Sequence, residues 1–183
     1  MTELLKLTGI VGSLRADSFN RTIFESASSL VGPGVELTEV PVRDVPFYNG
    51  DVEAVGDPEP VVAMKKAVAE SDGLIVFTPE YNKSVPAVTK NAIDWLSSSS
   101  GGSVLAYAAV GIVAATPGRH AASGVRSHLG ISIGSNTDRF FENSLGISSI
   151  RHKVTEGVLV DEEATSELAL WLSDFISFVR NRN

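Results

Sequence analysis

Short, almost continuously apolar runs alternate along this chain with stretches of helical periodicity, and that alternation constrains the fold more than any other feature. The runs Leu4–Val11, Val35–Val40, Gly73–Phe77 and Tyr107–Ala115 are rich in Val, Ile, Leu and Ala. Their apolarity is too continuous for a sheet with one wet face, so it predicts strands buried on both sides, as in a parallel sheet. Helices are expected at Asn20–Leu30, after the N-cap residue Ser18, and at Pro58–Glu70, with Val61, Val62, Lys65 and Val68 at helical spacing. Two more are expected at Pro86–Leu96, which opens on a proline, and at Thr165–Arg180, with Leu168, Leu172, Phe175, Ile176 and Val179 on one stripe. Residues 118–147 read as a helix up to Leu129, then a fifth short strand near Arg139–Phe141. Strands that alternate with helices give a three-layer α/β fold with right-handed crossovers. With 183 residues, no internal repeat and no linker, one domain over residues 1–183 is expected; the run Ser97–Ser103 is short enough to be a loop within it.

Composition excludes several chemistries. The chain has no cysteine, which removes disulfides, iron–sulfur clusters, thiolate zinc sites and cysteine nucleophiles together. A formal charge of −7 argues against a nucleic-acid partner, which rewards a basic face. No apolar run reaches the roughly 18 residues that span a bilayer, and Met1–Lys6 lacks the charged and apolar regions of a secretory signal. A cytoplasmic protein without a membrane partner is the expectation. His120, His128 and His152 show no ligand spacing with Asp or Glu, so they read as ordinary histidines and no metal site is expected.

In a parallel sheet ligands bind beyond the carboxyl ends of the strands, where the winding reverses. The loops after the first, third and fourth runs therefore carry the functional signal. The first, residues 12–21, concentrates Ser13, Arg15, Ser18, Asn20 and Arg21 where a strand passes into a helix. Free N–H groups and the positive end of a helix dipole make such a turn an anion site, and the hydroxyls, amide and guanidinium suit phosphate oxygens. The plainer alternative is a cap at Ser18 with Arg15 solvated. Neither G-x-x-x-x-G-K-[ST] nor G-x-G-x-x-G is present, so the loop suits a terminal monophosphate such as that of FMN better than a nucleoside triphosphate or a dinucleotide. The second loop, residues 78–86, is stiffened by Pro79 and Pro86 and carries Glu80, Tyr81 and Asn82. Its backbone could line a flat heterocycle, and its composition fits a simple turn equally well. The third loop, Thr116-Pro117-Gly118-Arg119-His120, supplies a hydroxyl, a glycine and a cation, a weak signal by itself.

Taken together, Gly12-Ser13-Leu14-Arg15-x-x-Ser18-x-Asn20-Arg21, then Thr78-Pro79-Glu80-Tyr81-Asn82-x-Ser84-Val85-Pro86, then Lys90-Asn91-Ala92-Ile93-Asp94-Trp95, resemble the NADPH-dependent FMN reductase family of quinone-, chromate- and azo-reducing flavoproteins. The likeness spans about residues 6–129 and fades beyond. It implies a flavodoxin-like fold with a five-stranded parallel sheet, non-covalent FMN, NADPH or NADH as electron donor, a small-molecule acceptor such as a quinone, and a homodimer or homotetramer. It assigns the FMN phosphate to Ser13, Arg15, Ser18, Phe19 and Asn20. The isoalloxazine ring falls to Pro79, Glu80, Tyr81 and Asn82, with Thr116, Pro117, Gly118 and Arg119 on the ring's other side. Three positions depart from the family pattern: Lys83, where relatives often carry an aromatic residue or histidine; His120-Ala121, where a second glycine is common; and Ala106–Ala109, which lacks a common Lys-Pro pair. The first bears on the subunit contact or the substrate side of the flavin, the second on the loop beside the ring. Arg119, with Lys83 from a neighbouring subunit, supplies cations for NADPH phosphates.

The expected activity is hydride transfer from NAD(P)H to bound FMN and then to the acceptor. The cofactor carries that chemistry, so no acid–base residue is nominated. A flavodoxin-type electron carrier and a non-catalytic FMN-binding sensor are the alternatives. The charge distribution favours a phosphorylated ligand, because residues 36–72 carry 9 acids against 3 bases while residues 73–153 carry 4 acids against 7 bases.

Overall fold

Five parallel strands form the centre of the molecule in the computed structural model, which describes residues 4–98 and 102–181. They are β1 (Leu5–Val11), β2 (Val35–Val40), β3 (Gly73–Thr78), β4 (Ala109–Ala115) and β5 (Leu145–Ile147), in the spatial order β2-β1-β3-β4-β5. This is the flavodoxin-like order, and the winding reverses between β1 and β3. Register aligns the strand ends: Val11 lies opposite Phe77, Thr78 opposite Ala114, and Ala115 opposite Ile147. The loops after β1, β3 and β4 therefore leave the sheet at one edge and one level.

Every residue of β3 and β4 is buried, which explains their continuous apolarity. Along β3, Ile75 and Phe77 enter the core under α1 (Phe19–Leu30) and α6 (Glu162–Arg180). Leu74 and Val76 enter the opposite core, under α3 (Glu59–Ala69), α4 (Ala87–Ser97) and α5 (Ser123–Gly134). All five stripe residues expected on the last helix are buried, and Ala164 and Trp171 join them. At about 1.5–3 kcal/mol for each large side chain removed from water, that stripe ties α6 to the sheet.

The structure corrects several expectations. The strand expected to start at Tyr107 starts at Ala109, because residues 105–107 form a 3₁₀ turn. Helix α5 runs on to Gly134, burying Ile133 below Val125 and Leu129. The expected strand near Arg139–Phe141 is a single bridge between Phe140 and Val110, and the fifth strand lies at Leu145–Ile147. Between them the chain has no regular structure, and the Asn143 and Ser144 carbonyls accept from Trp171 Nε1 and Arg126 Nη1. In α3, Met64 packs inward beside Val61 and Val68 while Val62 is 50% exposed. Two elements escape the periodicity argument: the short α2 (Gly50–Val55) and a hairpin of β6 (Val154–Thr155) and β7 (Val158–Leu159). Both are too short to show a period. The Ser97–Ser103 run lies partly outside the described residues.

Candidate functional site

The first loop leaves β1 at Gly12, whose N–H donates to Phe77 O at 2.7 Å. Gly12 is required by close approach: the Thr89 hydroxyl occupies the space a Cβ would need. That hydroxyl pairs with Thr78 Oγ1 at 3.1 Å, so a buried threonine pair on β3 and α4 backs the turn. No backbone N–H from Ser13 to Asn20 donates to another described residue. Ser18 caps α1, accepting from Arg21 N–H at 3.4 Å while its own proton stays available. Ser13 is 5% exposed, yet its hydroxyl makes no hydrogen bond among the described residues. Arg15 is exposed and unpaired among the same residues.

The other arginines nearby are engaged. Arg21 forms a two-pronged pair with Glu39, both contacts 2.7 Å, and that bond holds its guanidinium firmly protonated. Arg43 donates to Leu14 O at 3.1 Å and steadies the loop from the far side. A cavity of about 350 Å³ lies among Ser13, Arg15, Arg21, Glu39 and Arg43. A larger depression of about 530 Å³ runs along α5 beside Arg126, Gly130 and Phe140 and shares no lining residue with that cavity.

The second loop is a tight hairpin. Tyr81 and Ser84 exchange backbone bonds of 3.1 and 2.9 Å, and Asn82 and Lys83 between them both have positive φ, 51° and 58°. Asn tolerates that geometry more readily than Lys, so the backbone at Lys83 is strained. Pro79 is buried, and Tyr81 is 46% exposed. Glu80 turns its carboxylate to Val125 N–H at 3.1 Å. Of the histidines read as ordinary, His128 bonds Ser84 through Nδ1 at 2.9 Å.

The third loop is anchored through Thr116, whose N–H donates to Ile147 O at 3.0 Å and whose hydroxyl accepts from Gly118 N–H at 3.2 Å. Ser149 N–H holds Gly118 O at 2.9 Å. Pro117, Gly118 and Arg119 project outward, exposed. Asn20 connects this loop's strand to the first loop: its amide accepts from Ala115 N–H at 3.0 Å and donates to Ala115 O at 3.1 Å. Phe19 is partly buried and packs against the core under α1 and α6.

The third motif, Lys90–Trp95, has a structural role. Asn91 Nδ2 and Trp95 Nε1, one helical turn apart, both donate to Pro46 O at 2.9 and 2.8 Å, and Asn91 Oδ1 accepts from Tyr48 N–H at 2.7 Å. They clamp the connection after β2 onto α4. Sequence reasoning had no signal for that partner, which lies more than 40 residues away.

A row of unpaired N–H groups, the Ser13 hydroxyl, which keeps access to solvent and has no partner among the described residues, and a free guanidinium form the donor set of a phosphate dianion. FMN fits that set. The sequence matches the NADPH-dependent FMN reductase family over residues 5–137.

The chain belongs to this family. Over 180 residues it is 31% identical to a 2-hydroxy-1,4-benzoquinone reductase of a Burkholderia species, covering 97% of this chain and 98% of that one. It is 39% identical over 99 residues to the quinone reductase of Escherichia coli K12, about half of each chain. The solved structure of FerB, a flavoenzyme NAD(P)H:(acceptor) oxidoreductase from Paracoccus denitrificans, superposes with a TM-score of 0.86 at 26% identity, over 96% of this chain and 97% of that one. The protein is thus an FMN-dependent NAD(P)H oxidoreductase, and the reductase reading prevails over the carrier and sensor alternatives. Among the described residues no helix is long and apolar enough to cross a membrane.

Proposed function

We infer that residues 1–183 form one domain that holds FMN at the sheet edge where the loops after β1, β3 and β4 meet, and that a small quinone-class acceptor takes the electrons there. The observation that carries this reading is the unpaired donor row from Ser13 to Asn20 beside the free Arg15. Ser13, Ser18 and the N–H groups of Arg15, Phe19 and Asn20 bind the phosphate, and Arg15 adds a charge-assisted contact. Asn20 retains one amide N–H after bonding Ala115. Pro79, Glu80, Tyr81 and Asn82 wall one side of the ring through a backbone stiffened by the buried Pro79 and the hairpin bonds. Thr116, Pro117, Gly118 and Arg119 wall the other. When bound, FMN accepts hydride from NADPH or NADH and returns two electrons to the acceptor. The exposed Arg119 and a neighbour's Lys83 attract the reductant's phosphates.

A homodimer or homotetramer belongs to the same reading, supported by exposed apolar side chains at Phe47, Tyr81 and Ile131. So does a cytoplasmic location, where reduced pyridine nucleotide is supplied. The deciding experiment is to purify the protein, record its flavin absorbance, determine its mass in solution, and follow NADPH and NADH oxidation with a benzoquinone. Turnover that depends on both FMN and quinone is expected. Bound flavin without turnover would overturn the acceptor assignment.

A further inference from the structure

Helix α5 begins without a cap of its own. Ala122, at the N-cap position, has a left-handed backbone with φ 53° and no side-chain acceptor for the helix. The first N–H groups of a helix need acceptors, and the positive end of its dipole favours an anion. Both are supplied by Glu80, 45 residues earlier on the loop after β3, whose Oε2 accepts from Val125 N–H at 3.1 Å.

Two further contacts join the same partners. Gly124 lies so close to the Lys83 carbonyl that an added Cβ would overlap it, and that Cβ would stand 3.0 Å from Glu80 Oε2. Ser84 meets His128 at 2.9 Å one turn along the helix. The Tyr81–Ser84 hairpin is thus seated on α5 at residues 124, 125 and 128. The loop after β4 feeds into the same end: Ser123 N–H donates to His120 O at 3.0 Å, and Arg126 Nε donates to Ala121 O at 3.0 Å.

We propose that Glu80 is a positioning residue of the flavin site: by capping α5 from another loop, its carboxylate fixes the two loops that wall the ring as one rigid unit. The carboxylate acts through Val125 and the helix, and only the backbone of Glu80 faces the ring. This rests on the assignment of both loops to the ring made above.

The test is FMN affinity of the flavin-free protein, read by quenching of FMN fluorescence, with urea stability recorded beside it. Glu80→Ala should weaken FMN binding about tenfold, the equivalent of one lost charge-assisted cap. Glu80→Gln, whose amide oxygen still accepts from Val125 N–H, should stay within about threefold of the parent. Gly124→Ala disturbs the same seat without touching Glu80 and should weaken FMN binding comparably. Val179→Ala is the stability control, since Val179 packs beside Gly73 at the other end of β3; it should lower stability and leave FMN affinity unchanged. Equal FMN affinity in Glu80→Ala and the parent overturns the proposal, as does a loss of affinity in Val179→Ala as large as that in Glu80→Ala. A parent protein that binds no FMN overturns the site assignment instead.

Discussion

Ala121 holds a left-handed backbone, φ 48°, at the point where the third loop turns into α5. An L side chain there opposes the turn that the loop makes, and glycine would relieve it. The strain at Ala121 is of the order of 1 kcal/mol. Ala121→Gly should therefore stabilise the protein, raising its melting temperature by about 2–4 °C in a calorimetric scan; an unchanged or lower midpoint would show the strain is absorbed elsewhere. The cost at Ala121 could not be read from the sequence, because a residue letter carries no φ. Glu80 shows the same limit. Its place in the second motif was readable, whereas the direction of its carboxylate depends on where α5 starts in space. Arg15 is the opposite case: the proposed phosphate contact rests on its having no partner among the described residues, while Arg21 and Arg43 beside it are held by Glu39 and Leu14.

At the scale of elements, β3 ends where Pro79 begins, and Pro79 has no N–H to extend the ladder. Thr116 N–H bonds Ile147 on the β5 side, so the N–H and C=O of Ala115 face the β3 side, beyond that strand's last residue. The Asn20 amide supplies the missing acceptor and donor, as a peptide group would. Asn20→Ala strands two buried backbone groups and should destabilise the protein by about 3 kcal/mol, seen as a lower urea midpoint at constant slope. An unshifted midpoint would mean water replaces the amide fully.

Helix α6 offers a pH test. Asp161 caps it, and the hydrogen bond from Ala164 N–H, then that from Lys153, hold its carboxyl below the usual range. A depressed folded value means the stabilisation is complete above the unfolded value of about 3.9 and is lost as pH falls through the lower folded value. Asp161→Ala should therefore be less stable than the parent at neutral pH, with the gap narrowing below about pH 4; a gap constant with pH would contradict this. The strands and long helices were readable because burial on two faces and helical stripes leave periods in sequence. The path through residues 142–144 was not, since it is held by Trp171 and Arg126 from distant positions, and α2 and the β6–β7 hairpin were not, since both are too short to show a period.

For the whole molecule, FMN binds the folded chain, so saturating FMN must raise its stability. Free FMN at about a hundred times its Kd adds about 2.7 kcal/mol by linkage. Titrating FMN into flavin-free protein should raise the melting temperature progressively, and a midpoint indifferent to FMN would deny the site. The acidic charge of the chain does not oppose this, because it is concentrated in residues 36–72 and 154–183, away from the second and third loops. By itself, the sequence determined the layer architecture, the strands whose ends matter, the absence of thiol chemistry and the motifs of a flavin-binding family. All of these follow from local composition and spacing. Only the tertiary structure decided how the loops are braced: Asn20 completing β4, Asn91 and Trp95 clamping residue 46, and Glu80 capping α5. Each of these joins groups 45 or more residues apart, and the bond forms because folding brings a side chain to a backbone N–H or C=O that no ladder or helix partner satisfies.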